Sequence, residues 1–151
     1  MKPAKEDRAL PIAEQGKKKR KTGPEKLFQG RIQRFMKKHG IYNFKYFATR
    51  FAKRGVPDII ACTGPDGKFW GIETKSDHGH PREEQKEAIA EITALGGIGC
   101  VVWPEDENLL KAGLIGCREA IKILRGKIGR DRKIASAWTA KRLKSIEEDL
   151  L

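Results

Sequence analysis

The sequence predicts a mixed α/β domain whose elements run α-β-β-β-α-β and continue into a helical extension. Three observations carry this reading. Apolar residues recur at helical spacing after Gly23-Pro24 and again after Pro81, two strand-like segments flank the turn chemistry of Gly64-Pro65-Asp66-Gly67, and a short apolar segment ends at Trp103.

A chain of 151 residues with 38% hydrophobic residues fits one buried core. Its 32 Lys+Arg against 20 Asp+Glu leave a formal net charge of +12, which points to a polyanionic partner. The longest apolar stretches, such as Ile59-Ile60-Ala61-Cys62 and Cys100-Val101-Val102-Trp103, fall far short of the ~20 residues of a membrane helix, so no membrane span is expected. The Lys-rich N-terminus has no apolar segment of the secretory type behind it, and the expected location is the cytoplasm. Cys62, Cys100 and Cys117 are odd in number and widely separated, which implies no disulfide framework. His78 and His80 lack a cysteine partner in their segment, so zinc is not expected.

Residues 1–22 combine Pro, Gly and charge and close on Lys17-Lys18-Lys19-Arg20-Lys21, the composition of a flexible basic arm that adds nonspecific phosphate contacts. Residues 23–104 should form the core, and 105–151 a helical extension packed on the same domain. Proline at the first helical position and the spacing of Phe28, Ile32 and Phe35 predict a helix from Gly23-Pro24 to about Lys38. Glu25 extends its buried stripe, while Arg31, Arg34, Lys37 and Lys38 lie on the opposite face.

Tyr42, Phe44 and Tyr46 alternate with Asn43 and Lys45, the period of a half-buried strand, which is expected from Tyr42 to Phe51. Val56 to Cys62 and Lys68 to Lys75 form a hairpin about Pro65-Asp66. Glu83 and Glu84 in a first turn after Pro81, the stripe Ile89, Ile92, Leu95 and the terminating Gly96-Gly97 define a second helix. A short buried strand from Gly99 to Trp103 follows. Further helices are expected at 107–114, 118–124 and, as one long element, 131–150.

The chemistry lies in the hairpin. Symmetry about its turn sets Asp58 directly opposite Glu73, where side chains stand about 5 Å apart on one face and like charges repel. Lys75, two residues after Glu73, projects from that same face and offsets part of the repulsion. A divalent cation is the other natural compensator, because Mg²⁺ prefers carboxylate oxygens and is often held by one or two of them. Singly, Asp58 could cap the chain after Pro57, and Glu73 and Lys75 could be a solvent-facing pair. Together they fit poorly there, since Ile59, Ile60, Phe69, Trp70 and Ile72 imply that both strand faces are covered. Gln85 precedes Ile89 by four residues and Ile92 by seven, so it continues the inner stripe of the second helix and points at the sheet.

Gly55-Val56-Pro57-Asp58, then Ile72-Glu73-Thr74-Lys75, then Gln85 in a helix, resemble the VRR-NUC branch of the PD-(D/E)XK nuclease superfamily over about residues 24–103. The Val-Arg-Arg stretch of that label is Ala52-Lys53-Arg54-Gly55 here, which keeps the charge. The resemblance implies a restriction-endonuclease-like α-β-β-β-α-β core and a metal-dependent DNA endonuclease of the structure-selective or nicking kind. It implies Asp58 and Glu73 as ligands of Mg²⁺, with Mn²⁺ as a substitute, and the Thr74 main-chain carbonyl beside them. Glu25 matches the acidic residue of the family's first helix and would act directly or through water. Lys75 would orient or deprotonate the attacking water, and Gln85 would hold Lys75 or the water in place. Family members include stand-alone phage and bacterial modules, which suggests a homodimer addressing two strands.

Lys45, Arg50, Lys53 and Arg54, beside the hairpin, supply phosphate contacts that read charge and shape. A reading from another class is a non-catalytic basic DNA-binding protein, in which the acidic cluster is structural. A third is an interaction module working through the C-terminal helices, whose DNA affinity would be insensitive to salt.

Overall fold

The computed structural model describes residues 21–150. Of the expected basic arm, residues 1–20 lie outside them, as does Leu151. The elements are α1 (Pro24–Lys38), β1 (Tyr42–Lys45), β2 (Ile59–Thr63), β3 (Lys68–Thr74), α2 (Glu83–Ala94), β4 (Ile98–Val102), a 3₁₀ turn (Pro104–Asp106), α3 (Glu107–Leu114), α4 (Arg118–Leu124), α5 (Arg132–Ser136) and α6 (Ala140–Leu150). This is the expected order, α-β-β-β-α-β, followed by helices.

The sheet is mixed, in the order β1-β2-β3-β4. β1, β2 and β3 form an antiparallel meander, and α2 carries the chain across to set β4 parallel to β3. Ile59 pairs with Ile72 and Thr63 with Lys68, which is the register that symmetry about Pro65-Asp66 requires. Asp58 and Glu73 therefore occupy the next opposed position, at the open end of the hairpin.

The period-two alternation sorts the sheet into two faces. Ile59, Ala61, Trp70, Ile72, Ile98, Cys100 and Val102 join Phe28, Ile32 and Met36 of α1 in the main core. Leu109, Leu110, Leu124, Trp138 and Leu143, from the helical extension after Trp103, complete the same cluster. Burial pushes the Cys100 thiol up to about 12, so it packs as a small hydrophobe. On the other face α2 lies close against β3 and β4, where Ile89, Val101 and Trp103 form a smaller cluster. Gly99 allows that approach, because a Cβ there would stand 2.8 Å from the Ile89 carbonyl oxygen. Asp106, buried at the start of α3, accepts from the Trp103 amide at 2.9 Å and from Lys127 Nζ at 3.1 Å, which ties the extension to the edge of the sheet. Among the described residues no helix is long and apolar enough to cross a membrane.

Several boundaries differ from expectation; β3 ends at Thr74 instead of Lys75, and β4 spans Ile98–Val102 instead of Gly99 to Trp103. β1 stops at Lys45 instead of reaching Phe51, because its partner β2 begins only at Ile59 and the last link is Tyr46 N–H to the Asp58 carbonyl, 2.8 Å. β2 in turn starts after Val56 and Pro57, since Pro57 has no N–H to donate. The expected helix over 131–150 is two helices: Trp138 turns into the core at 3% exposure, and the Thr139 hydroxyl accepts from the Arg142 amide at 3.1 Å to start α6 afresh. Leu95 is 83% exposed, beyond the end of α2, and does not belong to its inner stripe.

The faces of β1 are also reversed. Its aromatic side is the open one, with Tyr42 71% and Phe44 45% exposed, while Asn43 and Lys45 are half-buried. Phe69, in line with them on β3, is 45% exposed, so among the described residues the sheet is covered on both faces along β4 and from Trp70 to Thr74 of β3, and the expected coverage of Ile60 and Phe69 is partial.

Candidate active site

At the open end of the hairpin the strands deliver acids and a lysine to one place. The Glu73 side chain is only 2% exposed, and its Oε2 accepts from the Asp58 main-chain N–H at 3.2 Å. Its other oxygen, Oε1, accepts from Gln85 Nε2 at 2.7 Å and stands 3.2 Å from Lys75 Nζ. Gln85 Oε1 completes a triangle by accepting from Lys75 Nζ at 2.9 Å. Gln85 is aimed there by the start of α2, where its side chain also accepts from the Arg82 amide at 2.9 Å in the manner of a capping residue.

Asp58 Oδ2 accepts from both the Thr74 amide and the Thr74 hydroxyl, each at 3.0 Å. Thr74 Oγ1 in turn receives Gln29 Nε2 at 2.7 Å, which links α1 to the carboxylate. Sequence reasoning missed this Gln29–Thr74–Asp58 chain. The signal was present, since Gln29 shares the α1 stripe with Ile32 and Met36 and is buried to 4% exposure.

The electrostatics follow from this crowding. Burial first, and the neighbouring Asp58 charge second, push the Glu73 carboxyl up to about 7, while Lys75 pulls it down. Glu25 is half-buried on the first turn of α1, and burial together with Asp58 raises its carboxyl above the ordinary value, against the pull of Lys75 and Lys45. Glu25 is thus within electrostatic reach of the pair, but among the described residues no three His, Cys, Asp or Glu side chains converge closely enough to hold a metal by themselves. The donor set still suits a hard cation. Two carboxylates are neighbours with Lys75 beside Glu73, and both hydrogen bonds that the Asp58 side chain accepts fall on Oδ2, which leaves Oδ1 for a ligand. Mg²⁺ typically takes one or two carboxylates and fills the remaining positions with water and phosphate.

A cavity of about 310 Å³ opens onto this cluster. Its walls include Asp58 and Gln85, Arg50, Lys53 and Arg54 from the segment between β1 and β2, and Arg82 from the approach to α2. Three of the four expected phosphate-contacting cations therefore border the same opening as Asp58. Lys45, at the end of β1, sits on the Glu25 side. Lys53 also lies 3.5 Å from Glu91 in an exposed pair, which is weak enough to exchange for a phosphate. Arg82 was not anticipated.

No family model matches the chain, and no curated protein matches it. Among solved structures it is similar to the 1.6 Å structure of Archaeoglobus fulgidus Hjc, a Holliday junction resolvase from an archaeal hyperthermophile. The identity is 17% and the TM-score 0.41, over 52% of this chain and 66% of that one.

Proposed function

We propose that the chain is a divalent-metal-dependent endonuclease that hydrolyses phosphodiester bonds of DNA, nicking it or selecting particular DNA structures. The observation that supports this most directly is the Asp58, Glu73, Lys75 and Gln85 cluster, with its buried carboxylate raised to about 7 beside a second one, opening on a cavity bordered by cations. The likeness of Gly55-Val56-Pro57-Asp58 and Glu73-Thr74-Lys75 to VRR-NUC nucleases points the same way.

Asp58 and Glu73 would hold the ion, with the Thr74 carbonyl beside them and Glu25 acting through water; Mg²⁺ or Mn²⁺ bound there supplies an activated water and neutralises phosphate charge. The chain's own residues do the rest. Thr74 fixes Asp58 by two hydrogen bonds, and Gln29 fixes Thr74. Lys75, held between Glu73 and Gln85, orients the attacking water and offsets charge on the phosphate. Arg50, Lys53, Arg54 and Lys45 draw the backbone of the substrate to the opening. A second copy of the chain would let one molecule address each strand.

The test is plasmid nicking with Mg²⁺ or Mn²⁺, with EDTA, and with Asp58→Ala. Cleavage is expected with metal only and is expected to fall at least about 100-fold in Asp58→Ala, while DNA affinity is retained. Undiminished cleavage in EDTA would overturn the metal assignment. Absence of cleavage by the folded wild type, with salt-dependent DNA binding intact, would establish the non-catalytic binding reading instead.

A further inference from the structure

The segment that frames the cavity carries aromatic rings that the core does not use. Phe47 is 74% exposed and Phe51 92%, on the stretch between β1 and β2. Single exposed apolar residues are common, but two exposed phenyl rings four positions apart in one segment, following the exposed Tyr42 and Phe44 of β1, concentrate aromatic surface in one stretch of chain. Each ring is paired with a cation. Lys45 Nζ stands 5.4 Å from the Phe47 centroid and the Arg50 guanidinium 5.8 Å from that of Phe51. Their chain neighbours Tyr46, Ala48, Arg50 and Ala52 line the cavity that reaches Asp58 and Gln85.

Rings each paired with a Lys or Arg within one segment are the kind of surface that single-stranded nucleic acid uses, because the cations meet the phosphates and every base has a face that can stack. A protein partner fits less well, since Lys45, Arg50, Lys53 and Arg54 would all have to be neutralised along with the rings. In an intact duplex the base faces are already occupied by their neighbours. Resting on the nuclease reading of the same site, we propose that Phe47 and Phe51 are a stacking platform for unpaired bases beside the scissile phosphate. The substrate class is then DNA with unpaired nucleotides at the cleavage point, such as a single strand, a flap or a fork, and the selectivity tolerates any base sequence.

The experiment compares Kd for one single-stranded oligonucleotide and for the duplex of the same sequence, by fluorescence anisotropy without divalent ions. It uses wild type, the Phe47→Ala/Phe51→Ala double variant and the Phe47→Trp/Phe51→Trp double variant. Both side chains are exposed, so neither variant disturbs the core. The ratio of single-strand to duplex affinity should fall about tenfold or more in the alanine variant, and should be kept in the tryptophan variant with indole emission quenched on binding the single strand. An unchanged ratio in the alanine variant would overturn the proposal. So would an unchanged ratio accompanied by a shift from dimer to monomer in sedimentation velocity, which would assign the rings to a contact between copies of the chain. Cleavage by wild type is scored separately with Mg²⁺: no cleavage alongside a falling ratio sinks the nuclease reading and leaves the platform standing, and normal cleavage with an unchanged ratio does the reverse.

Discussion

Gln85 and Lys75 meet at 2.9 Å through Gln85 Oε1, while the amide nitrogen of the same Gln85 donates to Glu73 at 2.7 Å. One neutral side chain thus satisfies an ammonium and a carboxylate at once, and it does so from a helix N-terminus that also uses it to cap the Arg82 amide. An amide offers both a donor and an acceptor, which neither a carboxylate nor an ammonium does.

Gln85→Ala should therefore impair turnover more than binding. Lys75 loses an acceptor and Glu73 a donor, so both are free to leave their working positions. We expect a fall of about 10- to 100-fold in kcat and in metal affinity, with KM for DNA near the wild-type value. Gln85→Glu, which keeps the acceptor and adds a third negative charge, should not restore the rate. Metal titrations and single-turnover nicking check both statements, and unaltered kcat in Gln85→Ala would show that the amide has only a packing role.

Glu73 predicts a pH dependence of stability. Its carboxyl is raised from 4.5 to about 7 in the fold, so the folded state favours the proton. The group's stabilising contribution is fully present below about pH 4.5 and is lost as pH rises through about 7. In metal-free protein, Glu73→Gln removes this loss. The stability difference between the two proteins should move in favour of the variant, by on the order of 3 kcal/mol, between about pH 4.5 and about pH 8. Urea unfolding in EDTA across that range measures it, and parallel curves for the two proteins would contradict the buried, repelled carboxylate.

Gly55→Ala tests the backbone beside the site. Gly55 has φ 77°, a conformation that side-chain-bearing residues rarely adopt, and an added Cβ would collide with the Glu84 carbonyl at the start of α2. The substitution should cost about 1–3 kcal/mol in urea unfolding and displace the loop that carries Arg54 away from the cavity. Loss of nicking should exceed what the unfolded fraction explains. A variant as stable and as active as wild type would mean that this turn relaxes freely.

Much of this arrangement can be read without coordinates. The turn residues set the hairpin register, and the register alone puts Asp58 opposite Glu73. The helical stripe through Ile89 then aims Gln85 at them. Gln29 was legible in principle, since it shares a stripe with Ile32 and Met36, but a polar residue on an apolar stripe gives no sign of what it will touch. The distance in sequence from Gln29 to Thr74 is closed only by packing α1 across the sheet.

The stretch from Tyr42 to Phe51 shows where periodicity stops being informative. Alternation identifies a strand with two unlike faces, and it does not say which face meets a neighbour. The helices after Trp103 join α1 on one face, and α2 covers β3 and β4 on the other, so among the described residues nothing covers the aromatic side of β1.

Local physics written in the chain fixed the element order, the hairpin pairing and the acids, lysine and glutamine at one end of it. Three-dimensional packing decided which side of β1 stayed open, brought Gln29 and Arg82 to the site, and divided the last helix at Trp138. The reason is that turn geometry and side-chain period act between near neighbours, whereas burial depends on which distant surfaces compete to cover a face.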